Sequence, residues 1–227
     1  MLGRVLNTHQ QWLCRQLADL GYVVSRQVAV PDTPADIVMA VREALSRADL
    51  VLTTGGLGPT SSDLTRDAVA QLLGKRLSED PTVLARITGF FDLRKRPMPA
   101  RTRVQALVPE GARVLSNAYG TAPGLAMELR PNPFRADGSS SWLIMLPGPP
   151  RELRPMFSDS VAPLLSRVLP LENVFVCRTL RTTGIGESVA EEKVGGQLQA
   201  MVPAGLEPGY CAEMHAESLD AHRFPWR

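Results

Sequence analysis

The chain has 227 residues, of which 44% are hydrophobic, enough for one substantial core and a second, smaller one. Its 25 basic and 23 acidic residues give a formal net charge of +2, which excludes a global electrostatic attraction to nucleic acid or membrane surfaces. Three cysteines without a Cys-x-x-Cys pair exclude a common zinc or dithiol motif, and no apolar run approaches the ~20 residues of a membrane span. We therefore expect a soluble cytoplasmic protein.

The first quarter of the chain alternates predicted helices and strands. An apolar stripe after Asn7 predicts a helix, with Asn7 either as its N-cap or as a ligand residue. Valines in the segment 22–30 predict a strand, and a turn with Thr33 as N-cap leads into a second helix. A short apolar run at 50–52 predicts a buried strand. This alternation is typical of an α/β layer fold, in which ligands bind beyond the carboxyl ends of the strands.

A glycine-rich loop connects that strand to a helix that ends at Gly74. Gly55, Gly56 and Gly58 allow the backbone to turn sharply and to approach a bound group, while the helix N-terminus offers N–H donors to an anion. The pattern predicts a phosphate site, although a tight turn without a ligand needs similar residues. We expect valine at Gly56 to fill the phosphate space and weaken nucleotide binding without unfolding the protein.

Two carboxylates, Asp32 and Asp63, each follow the end of a predicted strand. Such positions place side chains near a ligand, but each residue also has a structural interpretation. Asp32 is equally typical of a turn, and Asp63 of a helix N-cap.

A predicted helix that begins at Asp80-Pro81 leads into a basic loop. Five cations crowd this loop: Arg94, Lys95, Arg96, Arg101 and Arg103. They either clamp phosphates or form a solvated surface. The loop lacks the interleaved aromatic residues that single-stranded nucleic acid binding needs, so no nucleic acid partner is expected.

Apolar runs at 125–129 and 142–146 flank a polar loop and predict an antiparallel pair of strands. A rigid Pro-Gly-Pro-Pro turn at 147–150 then leads into a helix. Glu152 lies in the first turn of this helix, where it either contacts a ligand or stabilises the helix dipole. Beyond Pro170 the pattern predicts a strand, a helix from about 189 to 201 and a further strand from Leu206.

Three stretches resemble the CinA (competence/damage-inducible protein) family, whose nucleotide domain is of the molybdopterin-binding-like (MoaB/MogA-like) type. The first is Gly-Gly-Leu-Gly-Pro-Thr at 55–60, followed by Asp63 and Thr65. The second runs from Arg103 to Gly124, through Gln105, Ala106, Pro109, Asn117 and the turn 120–124. The third is the Pro-Gly-Pro-Pro turn with Glu152.

The resemblance implies a fold and a domain division. It implies an α/β, three-layer molybdopterin-binding-like domain with a mostly parallel sheet at residues 1–168, in which the first strand is missing. It implies a small α+β KH-like domain at residues 171–227, whose sequence pattern is incomplete.

The resemblance also implies a site at the glycine loop. Asp63 and Asp32 would be catalytic residues and ligands of a divalent metal ion, for which Mg²⁺ and Co²⁺ both fit. Ser62 stands where CinA proteins typically carry a second aspartate, which removes one charged ligand. The implied contacts to the bound nucleotide or pterin are Gly55, Gly56, Gly58, Pro59, Thr60, Thr65, Asn117, Gly120, Thr121, Gly124, Pro147, Gly148, Pro149 and Glu152.

Three functions remain open at this point. The resemblance implies a metal-dependent pyrophosphatase acting on ADP-ribose or a similar dinucleotide. The wider superfamily implies binding or adenylylation of molybdopterin, and the loss of a carboxylate at Ser62 favours a non-catalytic nucleotide-binding module. In each case a small-molecule nucleotide or pterin partner, no membrane partner and a homo-oligomer are expected.

Overall fold

A computed structural model describes residues 7–171, 177–213 and 216–222. Backbone contacts divide the chain into two compact units. The first unit comprises residues 28–165, and the second comprises the described residues of 5–27 and 166–227. This division differs from the domain prediction by grouping the N-terminal helix with the C-terminal segment, and the predicted boundaries stay a prediction.

The described elements follow the predicted order in most of the chain. The helices are α1 (Thr8–Asp19), α2 (Pro34–Leu45), α3 (Thr65–Leu72), α4 (Pro81–Asp92), α5 (Pro150–Met156), α6 (Ala162–Val168) and α7 (Glu187–Met201). The strands are β1 (Leu50–Thr54), β2 (Leu77–Glu79), β3 (Leu107–Pro109), β4 (Arg113–Leu115), β5 (Gly124–Leu129), β6 (Ser141–Leu146), β7 (Cys177–Thr182), β8 (Glu207–Glu213) and β9 (Ala216–His222). One 3₁₀ helix covers Ala100–Ala106 and another covers Val202–Ala204. A short π-helix at Phe157–Val161 joins α5 to α6.

The first unit is built on a four-stranded sheet of order β1-β6-β5-β4. β1 is parallel to β6, with Leu52 opposite Ile144, while β5 is antiparallel to both β6 and β4. The α/β class and the antiparallel pair β5–β6 are confirmed. The expectation of a mostly parallel sheet is wrong for the described strands, because a parallel neighbour requires a long crossover and β4, β5 and β6 are joined by short loops.

Strand β6 forms the centre of the core. Leu143 and Met145 belong to a buried cluster that also includes residues of α2, α3 and α4. Strand alternation places Trp142, Ile144 and Leu146 on the opposite face, where they are 2%, 0% and 0% exposed. Both faces of β6 are therefore covered, as in a three-layer fold.

Predicted helix caps are confirmed at three positions. Asn7 accepts a hydrogen bond from the Gln10 amide at 3.2 Å, so its capping role at α1 is observed. Thr33 caps α2, and Asp80 accepts bonds from two amides of the first turn of α4. In both α2 and α4 proline occupies the first turn, where its missing N–H costs nothing.

The predicted strand at 22–30 is wrong. This segment is irregular, and Val23 and Val28 are 64% and 55% exposed. A strand needs a neighbour for its backbone hydrogen bonds, and in a doubly wound sheet of order 2-1-3 the first strand is the neighbour of the second. The described residues contain no strand ahead of this segment, and the first six residues lie outside the described ranges.

The second unit carries an antiparallel sheet of order β7-β9-β8. Leu180 of β7 pairs with Leu219 of β9, and α7 follows β7 after a short turn. Elsewhere in this unit the Tyr22 hydroxyl donates to the Leu169 carbonyl at 2.8 Å. The predicted strand, helix and strand are confirmed from residue 177 onward, β9 was missed, and the likeness to a KH domain stays a prediction.

Two glycines of the first unit give a matched test of backbone effects on stability. Gly89 lies inside α4 and Gly74 follows α3, and a methyl group at either position would meet open space. Of these two glycines, only Gly74 has a positive φ, of 62°. Gly89→Ala should raise the free energy of unfolding by about 0.5–1 kcal/mol through helix propensity, whereas Gly74→Ala should lower it by about 1 kcal/mol. Urea unfolding of both variants tests this, and equal effects would contradict it.

Candidate functional site

Three segments of the first unit meet at one edge of the sheet, called here the loop edge. Because β1 and β6 are parallel, the glycine loop at 55–64 and the proline turn at 147–149 leave the sheet on the same side. The antiparallel β4 and β5 bring their connecting loop, 116–123, to the same edge. The prediction that the glycine loop lies at the carboxyl end of a strand is confirmed.

The glycine loop and the proline turn are in direct backbone contact. The Gly55 amide donates to the Leu146 carbonyl at 2.9 Å. A Cβ atom at Gly148 would lie 3.5 Å from the Gly55 Cα atom, which is ordinary van der Waals contact. The two segments thus form one continuous rim of backbone, with Pro147 and Pro149 on either side of Gly148.

Gly56 approaches Thr65 rather than an open space. Its φ is 71°, and a Cβ atom there would collide with the Thr65 side chain and lie 3.0 Å from the Thr65 nitrogen. The Thr65 amide in turn donates to the Gly56 carbonyl at 3.1 Å. The expectation that valine at Gly56 leaves the fold intact is therefore wrong, since the substitution strains the turn itself.

Asp63 closes the glycine loop on itself. Its Oδ2 atom accepts hydrogen bonds from the Thr60 amide at 2.9 Å and the Thr60 hydroxyl at 2.6 Å. Burial raises the pKa of Asp63, but the bonds from Thr60 and the Gly58 amide, together with the charge of Arg66, outweigh burial and lower it overall. Asp63 is not the N-cap of α3, because that position belongs to Leu64, whose side chain forms no capping bond.

The predicted metal ligands do not form a preformed metal cage. Asp32 lies exposed in the turn before α2, and the hydrogen bonds of Asp63 described above stay within its own loop. Among the described residues, no three His, Cys, Asp or Glu side chains group as a metal site. The donor set fits only an ion that takes most of its ligands from phosphate oxygens and water, as Mg²⁺ commonly does.

Glu152 contacts the loop 116–123 through a hydrogen bond and through direct packing. It is 7% exposed, and its Oε2 atom accepts from the Asn117 side-chain amide at 2.8 Å. Asn117 also donates to the Ala122 carbonyl at 2.7 Å and accepts from the Tyr119 amide at 3.0 Å. Gly120 packs directly on the Glu152 carboxylate, with no room for a Cβ atom.

Comparison with known proteins places this geometry in a family. Residues 1–167 match a family model described as "Probable molybdopterin binding domain". The chain is 31% identical to the crystal structure of a CinA protein of unknown function from Thermoplasma acidophilum, with a TM-score of 0.60, covering 71% of this chain and 89% of that one. The chain belongs to the CinA family.

Two curated relatives agree with this assignment. A protein of Symbiobacterium thermophilum, whose name refers to competence and damage induction, is 45% identical over 219 residues, which are 95% of this chain and 49% of the relative. A CinA-like protein of Akkermansia muciniphila is 42% identical over 214 residues, which are 94% of this chain and 49% of the relative. The chain spans about half the length of these relatives. None of its described helices combines the length and apolar character of a membrane span.

Within this CinA-type domain, the structure adds residues that the sequence pattern did not reveal. Among the described residues, three buried side-chain polar atoms have no hydrogen-bond partner: Thr53 Oγ1, Arg66 Nε and Gln105 Oε1. Arg66, in the first turn of α3, is 4% exposed and forms an ion pair with Asp67 at 2.8 Å. Gln105 is 2% exposed, and its amide approaches the Leu57 carbonyl of the glycine loop at 3.4 Å.

Only indirect signals in the sequence pointed to these residues. Gln105 belongs to one of the stretches that resemble the CinA family, without an implied role, and Arg66 directly follows Thr65 of another such stretch. Charged residues are seldom buried without full pairing, so burial of Arg66 was not expected. The first unit therefore places an incompletely paired cation directly after the glycine loop.

In the basic loop at residues 94–103, two arginines form contacts with other residues of the first unit. Arg103 forms a bidentate pair with Glu79, at 2.5 and 2.8 Å, which lowers the pKa of Glu79. The Arg94 guanidinium lies 3.5 Å from the centroid of the Phe90 ring. These contacts favour the interpretation of this loop as surface structure over that of a phosphate clamp, at least for these two arginines.

Proposed function

We propose that the loop edge binds the phosphates of a small nucleotide or pterin ligand. The observation that carries this proposal is the buried Arg66, whose Nε donor is unpartnered and whose neighbouring carboxylates are the half-exposed Asp67 and the Asp63 of the glycine loop. A buried cation that lacks full compensation favours a nearby anion, because the interior screens charge weakly. The N-terminus of α3 contributes further positive potential at the same place.

One amide of the glycine loop is the best phosphate donor. The Gly55 amide is bound to Leu146 and the Thr60 amide to Asp63. Within the described residues, the Gly56 amide has no such partner and lies between these two anchored points, whereas the next residue, Leu57, is buried. A diphosphate would thus bind at the turn itself, with Pro59 and Thr60 holding the loop in shape, and Pro147, Gly148 and Pro149 forming the adjoining rim.

The proposed reaction is hydrolysis of the diphosphate bond of ADP-ribose or a similar dinucleotide. A divalent ion, Mg²⁺ or Co²⁺, would be held by Asp63, by Asp32 and by the ligand's own phosphates, and would supply charge stabilisation and an activated water. This chain's own residues bind and orient: the Gly56 amide and the Arg66 charge hold the phosphates in one position. Asp63, whose pKa is lowered by the hydrogen bonds that it accepts within the loop, keeps the loop closed as a carboxylate.

Two alternatives have specific support. The family model is described by molybdopterin binding, and the phosphate of molybdopterin would occupy the same loop. The internal bonds of Asp63, together with Ser62 at the position of a second aspartate, favour a module that binds nucleotides without turnover. The expected homo-oligomer stays a prediction.

Calorimetry with ADP-ribose, FAD, NAD and molybdopterin, each with and without Mg²⁺ and Co²⁺, tests the proposal. Arg66→Gln should reduce the affinity for the bound phosphate compound by about tenfold or more, since one charge-assisted interaction is removed. It should also make binding less sensitive to salt. Arg130→Gln, which removes a cation with a 76% exposed side chain at the opposite end of β5, is the matched control and should leave affinity within about twofold. Equal effects of both variants would contradict the role of Arg66.

A further inference from the structure

The side chain of Gln105 joins the 3₁₀ helix Ala100–Ala106 to the glycine loop. Gln105 is 2% exposed, and its Nε2 amide donates to the Leu57 carbonyl at 3.4 Å. The two residues are 48 positions apart in the sequence. Among the described residues, this is the one recorded side-chain hydrogen bond between that helix and the glycine loop.

The helix that carries Gln105 is fixed to its surroundings on both sides of this residue. Arg103 forms the bidentate pair with Glu79, at 2.5 and 2.8 Å. The Asp80 amide donates to the carbonyl of Ala106, a residue that is 0% exposed. Gln105 therefore reaches the glycine loop from a supported position.

Gln105 and Asp63 bind the two ends of a single peptide group in the loop. This peptide, between Leu57 and Gly58, is trans, so its C=O and N–H point in opposite directions. The carbonyl accepts from Gln105, and the Gly58 amide donates to the Asp63 carboxylate. Rotation of the peptide would break both bonds and leave the buried amide of Gln105 unpaired, which is unfavourable.

The proposed phosphate donor, the Gly56 amide, lies between two such anchored peptides. On one side the Gly55 amide donates to the Leu146 carbonyl at 2.9 Å. On the other side the Leu57 carbonyl accepts from Gln105. The orientation of the loop at Gly56 thus depends on a side chain from outside the strand, loop and helix that carry the loop.

Packing alone does not account for glutamine at position 105. Its Oε1 atom is buried and has no hydrogen-bond partner among the described residues. A buried polar atom without a partner lowers stability, whereas methionine has a similar length and places no such atom in the core. The contact made by the amide group explains this side chain better than the filling of space does.

We propose that Gln105 is a positioning residue, which holds the Leu57–Gly58 peptide in one orientation and thereby preorganises the glycine loop for a phosphate group. Gln105 does not itself contact the phosphate. A loop that is already ordered binds more tightly, because less conformational entropy is lost on binding. The effect on phosphate affinity rests on the proposed function, whereas the effect on loop order is a property of the ligand-free protein.

Amide exchange in the ligand-free full chain tests the effect on loop order. Gln105→Met keeps the length of the side chain and removes the donor. Exchange of the Gly58 amide, measured by NMR, should become about threefold to tenfold faster, as expected for the loss of one neutral hydrogen bond. The amide of Ile87, a buried residue of α4, reports global unfolding and should change less. Equal acceleration at Gly58 and Ile87, or unchanged exchange at Gly58, would overturn the proposal.

Gln105→Glu adds a rescue that depends on pH. Ionised glutamate has no donor for the Leu57 carbonyl, whereas the protonated acid donates through its O–H group. Burial raises the pKa of a carboxyl group, so this side chain is expected to be ionised at about pH 8 and protonated at about pH 5. Asp63, whose pKa is lowered, stays ionised at both. Calorimetric affinity for inorganic pyrophosphate, relative to wild type at the same pH, should fall about threefold to tenfold at the higher pH and recover to within about twofold at the lower.

Thr102→Val is the matched control, because Thr102 is another buried polar residue of the same helix, at 4% exposure. It should change Gly58 exchange and pyrophosphate affinity by less than about twofold, while Gln105→Met should lose affinity equally at both pH values. A Gln105→Glu variant that binds as wild type at the higher pH, or that does not recover at the lower pH, would overturn the proposal. Failure of the wild type to bind pyrophosphate would overturn the proposed function, and Gly58 exchange would then decide the role of Gln105 by itself.

Discussion

Asp63→Ala should abolish the proposed metal-dependent hydrolysis and lower the free energy of unfolding by about 2 kcal/mol. Alanine removes the acceptor of both Thr60 bonds and of the Gly58 amide, and each bond to a charged group contributes about 1.5–3 kcal/mol before solvent exposure is considered. Asp63 is only partly buried, so the sum is much smaller than three full bonds. Activity with ADP-ribose and urea unfolding measure the two effects.

Asp63→Asn separates charge from loop closure. As an N-cap, asparagine would cost only a few tenths of a kcal/mol, but the observed role needs one carboxylate oxygen to accept two bonds from Thr60. Asparagine keeps a carbonyl acceptor and loses the charge, so we expect about 1 kcal/mol of destabilisation, with turnover lost and ligand binding retained. Unchanged turnover in Asp63→Asn would contradict a catalytic role for the charge.

The pH dependence gives an independent check. The folded pKa of Asp63 lies below its unfolded value, which is near 3.9 for aspartate. Ionised Asp63 therefore stabilises the fold above about pH 4, and this contribution is lost as the pH falls through the lowered folded pKa. The difference in unfolding free energy between wild type and Asp63→Asn should shrink between pH 5 and pH 3, and a difference that stays constant would contradict this.

Ser62→Asp tests whether a missing carboxylate limits activity. The Ser62 hydroxyl lies 2.9 Å from the Thr60 hydroxyl, so the new carboxylate would stand beside Asp63. If the ion is held as proposed, a second anionic ligand should raise turnover at saturating metal. Negligible turnover in wild type, Asp63→Asn and Ser62→Asp alike would favour the non-catalytic binding module.

Local patterns predicted the position of the site because its elements are defined by short-range signals. The apolar run of β1, the glycines after it and the caps Thr33 and Asp80 all depend on neighbouring residues. Parallel pairing of β1 with β6 then places the glycine loop and the proline turn at one edge. The prediction of a strand at residues 22–30 was wrong because valines favour a strand only when a neighbouring strand is present to pair with it.

Side-chain roles within the site were less predictable, since they depend on tertiary contacts. In the sequence, Gly56 predicts open space for a phosphate, but the Thr65 side chain occupies the space beside the Gly56 Cα atom. In the sequence, Asp63 predicts a helix N-cap or a metal ligand, but in the structure it accepts hydrogen bonds from Thr60 inside its own loop. The burial of Arg66 depends on how α3 packs, which periodicity does not specify at a single charged position.

Gly120→Ala should disrupt the loop 116–123. The added Cβ atom would collide with the Glu152 carboxylate, which is buried and held by Asn117. Displacing that carboxylate breaks the Asn117 bond and leaves buried polar groups unpaired, at a cost of about 1–3 kcal/mol. Under the proposed function, affinity for ADP-ribose should fall by about tenfold or more, because the loop 116–123 lies at the same edge of the sheet as the glycine loop.

A double-mutant cycle decides whether the collision is the cause. Glu152→Ala removes the carboxylate, so Gly120→Ala should cost clearly less stability in that background than in the wild type, with a coupling of about 0.5–3 kcal/mol. Gly89→Ala, where the methyl group meets open space, is the control and should show no coupling to Glu152→Ala. Additive effects of Gly120→Ala and Glu152→Ala would contradict the contact, and the glycine would then be required for the backbone of its own loop. A coupling in the free energy of unfolding together with unchanged ligand affinity would instead show that Glu152 and Gly120 act only in the stability of the fold. Neither residue would then remain among the predicted ligand contacts.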